Sequence, residues 1–125
     1  HVLEPLFAYL MIAWRQYEDP SLSGWYNVGP DECDCVTTGE LVQLFCKKWG
    51  DKAEWLDRAE ANAPHEANFL KLDCSKLKSI FGWRPRWHMD EVMELTVAWT
   101  RTWLEGGNIP AEMDREIMWY LEGAK

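Results

Sequence analysis

No glycine-rich turn of the G-x-G-x-x-G or Walker type occurs in these 125 residues, nor any G-x-S-x-G elbow. Neither a dinucleotide nor a nucleoside triphosphate is therefore offered a standard phosphate cradle. Long apolar runs are missing too: nothing approaches the roughly 18 residues that span a bilayer, and no basic, apolar, small-residue leader is present. The expectation is a protein with no membrane partner, unsecreted and cytoplasmic. Positive charge is scarce. Thirteen Lys and Arg stand against 21 Asp and Glu, and a formal charge of −8 repels phosphate backbones. Lys47/Lys48 and Arg84/Arg86 are isolated pairs, so nucleic acid is not an expected partner.

Metal-ligating residues are few, with three His and four Cys. The "CDC" of residues 33–35 needs two further ligands to complete a tetrahedral zinc site, and no paired spacing supplies them. "HEANF" opens like a zincin helix but lacks the second histidine, which excludes a metalloprotease. No metal is expected. Cys46 and Cys74 fall within apolar-periodic helical patterns, where a free thiol acts as a small hydrophobe, so all four cysteines are read as reduced. The acidic run of Asp31, Glu32 and Asp34 reads as a solvated loop rather than a general acid–base pair. No catalytic residue can be assigned.

What is present is helical periodicity. Leu3, Leu6, Phe7, Leu10, Met11 and Trp14 outline one face of a helix over 4–15, ended by Asp19-Pro20. Thr37 and Glu40 have capping-box spacing ahead of a helix over 38–49 that Gly50 terminates. Asp73 is placed to cap a short helix carrying Leu77, Ile80 and Phe81, with Gly82 as its stop. Val92, Leu95, Trp99 and Trp103 define a longer helix with Asp90 and Glu91 at its positive end, closed by Gly106-Gly107. Pro110, Met113, Ile117, Tyr120 and Leu121 outline a last amphipathic helix suited to docking on a partner surface.

Three short strands are expected, a buried one at 25–28 and two more at 53–56 and 69–72. The fold class is thus α/β, helix-rich, a single domain over 1–125 with too few strands to close a sheet alone. Such unpaired edges look like one lobe of something larger. The amphipathic pattern that begins at Val2, behind His1 and no methionine, points to a piece of a longer protein, and nine tryptophans suggest a ligand cleft or interface as well as a core. His65 and Glu66, behind Pro64 in a polar loop, could present an imidazole and a carboxylate to a phosphate or sugar hydroxyl, or form an exposed turn.

In chain order, "HVLEPLFAYLMIA", "YNVGP", "WGDKAEW", "PHEANFLKLDCSKLKSIFGWRPRW" and "TVAWTRTWLEG" resemble the C-terminal part of extended short-chain dehydrogenase/reductases acting on nucleotide sugars. "HVLEPL" and "PHEANFLKLDCSK" followed by "GWRPRW" are more similar to the 4,6-dehydratases of CDP-sugars, whereas "YNVG" and D-x-S-K with G-W-x-P identify only the superfamily.

That resemblance implies the C-terminal, substrate-binding lobe of an NAD(P)-binding Rossmann-type enzyme, whose NAD-binding half, Tyr-x-x-x-Lys pair and elimination residues lie upstream of His1. It implies NAD-dependent oxidation at C4 of the sugar, loss of water across C5 and C6, and return of the hydride to C6, in deoxysugar and surface-polysaccharide (O-antigen) synthesis. It also implies a CDP-sugar as substrate, a homo-oligomeric parent and an isolated fragment without activity. Many relatives read R-P-G-H-D before the last strand, with the arginine on the pyrophosphate. Here Ala63 stands at or beside that position, leaving His65 as the first candidate contact and Glu66, Asn68 and Arg86 as further substrate-binding candidates. Asp73, Gly82, Trp83 and Pro85 match the pattern in structural roles. The rival readings are another nucleotide-sugar dehydratase or epimerase, a non-catalytic protein-interaction module, and a small metal-binding protein built on "CDC".

Overall fold

Local rules account for most of the helix ends. Thr37 Oγ1 accepts the Glu40 amide at 3.2 Å while the Glu40 carboxylate accepts the Thr37 amide at 2.8 Å, a reciprocal capping box. It opens a helix of residues Thr38–Trp49 that Gly50 ends at a φ of 71°, which a side chain would make costly. The computed structural model describes residues 1–58 and 71–123. In chain order its α-helices are α1 (Leu3–Glu18), α2 (Thr38–Trp49), α3 (Ser75–Phe81), α4 (Met89–Leu104) and α5 (Ile109–Glu122), with 3-10 turns at Pro20–Leu22 and Glu32–Asp34. Gly82, left-handed at φ 68°, stops α3. Asn108 caps α5 by accepting the Ala111 amide, with Pro110 in the first turn. Asp73 Oδ1 takes the Ser75 amide at 2.9 Å, so it secures the entry to α3 from one residue before the cap position, held by Cys74.

The three expected strands require correction. Among the described residues none is present. Residues 25–28 lie beside 72–74 without regular structure; Asn27 Nδ2–H donates to the Asp73 carbonyl at 3.0 Å, and no backbone ladder forms. Trp25, expected to be buried, is 92% exposed. At 53–56 the chain leaves a turn in which Asp51 and Lys52 both have positive φ, and it continues without a strand partner. Of the segment 69–72, residues 69 and 70 lie outside the described residues.

The core has two adjoining parts. Ala8, Leu77, Phe81 and Trp83 make the first, with Phe7, Met11, Ile12 and Tyr26 packed around them. Trp87, Leu95 and Tyr120 make the second, with Leu3, Phe7 and Val92 against it. Phe7 touches both. The buried stripe of α1 therefore runs through Glu4 and Ala8, flanked by Phe7, Met11 and Ile12. Leu6, Leu10 and Trp14, read from periodicity as part of the same apolar face, are exposed. α4 packs on α2 and on α5, and Lys48 of α2 bridges to Asp90 and Glu94 of α4 at 2.5 and 3.2 Å.

Candidate functional site

The meeting point of α1, the 26–30 segment, the 83–87 exit and the start of α4 is fixed by one buried carboxylate. Glu4 Oε1 accepts the backbone amides of Arg86 and Trp87, both at 2.9 Å, and Oε2 accepts the Tyr120 hydroxyl at 2.8 Å. Three donors from two distant segments thus satisfy a carboxylate that is only 7% exposed. Burial first, and then the Glu4 carboxylate, hold the Tyr120 phenol well above its usual range, so the hydroxyl stays a donor. Arg86 is occupied in the same place. Its Nη1 donates to the Tyr120 carbonyl at 2.5 Å, and its guanidinium lies 4.2 Å from the Phe7 ring centre and 4.6 Å from that of Tyr120.

Beside Glu4 opens a cavity of about 280 Å³, walled by Val28, Pro30, Trp83, Trp87 and Val92, with the acids Glu4 and Asp34 at its edge. Asp34 belongs to the Glu32–Asp34 turn and is 7% exposed. Its Oδ1 accepts the Met89 amide at 2.9 Å, and its Oδ2 lies 2.8 Å from His88 Nδ1 and 3.6 Å from Cys33 Sγ. Burial alone would push the Asp34 carboxyl up, but the His88 and Met89 hydrogen bonds outweigh it and hold the carboxyl below its ordinary range. His88 is correspondingly raised, chiefly by its bond to Asp34.

The acidic loop is the solvated run expected of it only in part: Glu32 is exposed, whereas Asp34 is not. Asp31 pairs with Lys78, Glu32 with Lys71, and Asp34 is buried. Of the sequence-level site residues, His65, Glu66 and Asn68 lie outside the described residues, and Arg86 is placed as above. Glu4, Asp34 and His88 escaped sequence reasoning because their partners lie 54 to 116 positions away. The only local signal was Glu91, three residues after His88, whose carboxylate accepts the His88 amide at 2.8 Å. The four thiols are free.

A second cavity of about 530 Å³ lies between α1, α4 and α5, lined by Leu3, Leu6, Trp99, Met113 and Ile117 around Glu116. Glu116 Oε2 is 3.4 Å from His1 Nε2, whereas Oε1 is buried with no partner among the described residues. Burial, then Glu112, pushes its carboxyl above the ordinary 4.5. The folded state therefore holds this proton more tightly than the unfolded chain, and the resulting stability, complete below 4.5, is lost as pH rises through the raised value. Glu116→Gln is expected to stabilise the protein at neutral pH relative to wild type, with the difference shrinking towards pH 4.5. Thermal melts of both proteins across that range check it, and parallel pH profiles would contradict it.

NAD, which the resemblance assigns to a half upstream of His1, is not fitted by the described glycines. The glycines with positive φ, Gly50, Gly82 and Gly106, follow the C-terminal ends of α2, α3 and α4, where exposed carbonyls would oppose a pyrophosphate. Among the described residues no helix is long and apolar enough to cross a membrane.

Comparison with known proteins finds the chain similar to a C-terminal fragment of a dehydratase. The relative is CDP-glucose 4,6-dehydratase of Salmonella typhimurium, 42% identical over 122 residues that make up 97% of this chain. The chain spans about a third of the length of that curated relative, 34%. No protein-family model matches it.

Proposed function

We propose that this chain is the substrate-binding C-terminal part of a CDP-glucose 4,6-dehydratase, an extended short-chain dehydrogenase/reductase that converts CDP-glucose to CDP-4-dehydro-6-deoxy-glucose. The observation that carries the reading is 42% identity sustained over 97% of the chain. In this reading NAD is held by a Rossmann half outside these residues, the parent is a cytoplasmic homo-oligomer, and the fragment alone is inactive. Two structural features support a lobe of a larger protein. The exposed face of α1 carries Leu6, Leu10 and Trp14, and the exposed face of α5 carries Met113 and Ile117, apolar surface that a further part of the protein would cover.

Substrate contact is assigned to His65, with Glu66 and Asn68 as further candidates. Arg86 is a weaker candidate, because it would have to leave the Tyr120 carbonyl and two aromatic rings to reach a ligand. The test uses the full-length protein with CDP-, UDP- and dTDP-glucose, following the loss of one water from the sugar by mass spectrometry. Turnover of CDP-glucose alone is expected, with His65→Ala raising KM about tenfold, the loss of one hydrogen bond to a charged group. Conversion without a mass change would replace the dehydratase by an epimerase. No turnover and no thermal protection by any of the three would leave the interaction module.

A further inference from the structure

Cys33, Asp34 and His88 bring a thiol, a carboxylate and an imidazole together so that their ligating atoms all lie within 4.8 Å of one another. We propose that these three side chains form a zinc site, with water in the fourth position, which staples the Glu32–Asp34 turn to the start of α4. Each donor is one that zinc accepts, a sulfur, an imidazole nitrogen and a carboxylate oxygen, and the water completes the four-coordinate set. Bond lengths of about 2.3 Å to sulfur and 2.0 Å to oxygen put tetrahedral ligand atoms roughly 3.5 Å apart. Cys33 Sγ and Asp34 Oδ2 already stand 3.6 Å apart, and the 2.8 Å between Asp34 Oδ2 and His88 Nδ1 has to widen by less than an ångström.

Preorganisation and access both favour the site. Asp34 is buried and oriented through Oδ1 by the Met89 amide, a fixed outer contact that holds Oδ2 towards the other two ligands. Cys33 and His88 are exposed, which leaves an open route for the ion. A helix N-terminus ordinarily disfavours a cation. Here the amides of residues 88 and 89 are taken up by Glu91 and Asp34. Cys35 belongs elsewhere, since its thiol is directed at the Asp31 carbonyl, 3.5 Å away. The ligand set is therefore one cysteine of the "CDC" motif completed by a histidine 54 residues away from Asp34.

The experiment is equilibrium dialysis of the purified protein against zinc, paired with cobalt substitution read by absorption. One equivalent of zinc is expected, with a thiolate-to-cobalt charge-transfer band in the near ultraviolet. Cys33→Ser and His88→Gln should each weaken binding at least about tenfold, and Cys33→Ser should abolish the band. Cys35→Ser is expected to leave both unchanged. His88→Gln keeps the backbone amide that Glu91 accepts, so the start of α4 survives, and circular dichroism verifies this. Zinc binding unaffected by either substitution, or absent at micromolar metal, would overturn the proposal.

Discussion

Replacing Glu4 by alanine is expected to destabilise the protein by about 3–5 kcal/mol, the range for removing one partner of a buried charged network. The substitution leaves the Arg86 and Trp87 amides and the Tyr120 hydroxyl without their acceptor, in a place water does not readily reach. A small domain has a total stability of roughly 5–15 kcal/mol, so most of the margin would go. Glu4→Gln separates geometry from charge. A glutamine oxygen can accept both amides as Oε1 does, and the Tyr120 hydroxyl can turn to accept from the amide nitrogen, so a loss of only about 1 kcal/mol is expected. Urea denaturation of the two variants checks both figures. Equal losses would mean that charge, rather than hydrogen-bond geometry, secures this junction.

Leu77→Ala is expected to cost about 3 kcal/mol. Leu77 is fully buried among Ala8 of α1, Phe81 at the end of α3 and Trp83 just beyond it, and α3 is too short to stand without that contact. Leu77→Met, which keeps the volume, should cost less than about 1.5 kcal/mol. Denaturation midpoints decide the matter. A loss under about 1 kcal/mol for alanine would mean that the pocket collapses around the gap.

Those two residues mark the boundary of what the sequence discloses. Leu77 was legible, because it recurs with Phe81 on one face of a short helix whose stop, Gly82, is written beside it. The Thr37 and Glu40 box and the ends of α2 were equally plain, since every partner lies within four residues. Glu4 was visible only as an acid in the first turn of α1. Its partners sit 82, 83 and 116 positions away, and no periodicity encodes such distances. The same applies to Asp34 and His88. The expected strands misled for another reason. β-branched and aromatic composition describes a chain that can pair, but pairing needs a neighbour in register, and 25–28 meets 72–74 through the Asn27 side chain. Apolar spacing also outlined one face of α1, of which half is exposed. Of the candidate site, His65 lies outside the described residues, while the cluster around Asp34 depends wholly on tertiary contact.

The long reach of Glu4 also bears on the order of events during synthesis. α1 leaves the ribosome well before any of its buried partners, and a 16-residue helix is only marginally stable alone in water. Its carboxylate meets the first acceptor-seeking amides only after residues 86 and 87 have emerged, and Tyr120 arrives later still. The nascent segment therefore carries Phe7, Ala8 and Met11 without their buried partners until Leu77, Phe81 and Trp83 have emerged, a period in which chaperones have their opportunity. Within these residues the closure that spans most of them comes last, so α5 completes the junction at Glu4 rather than starting it.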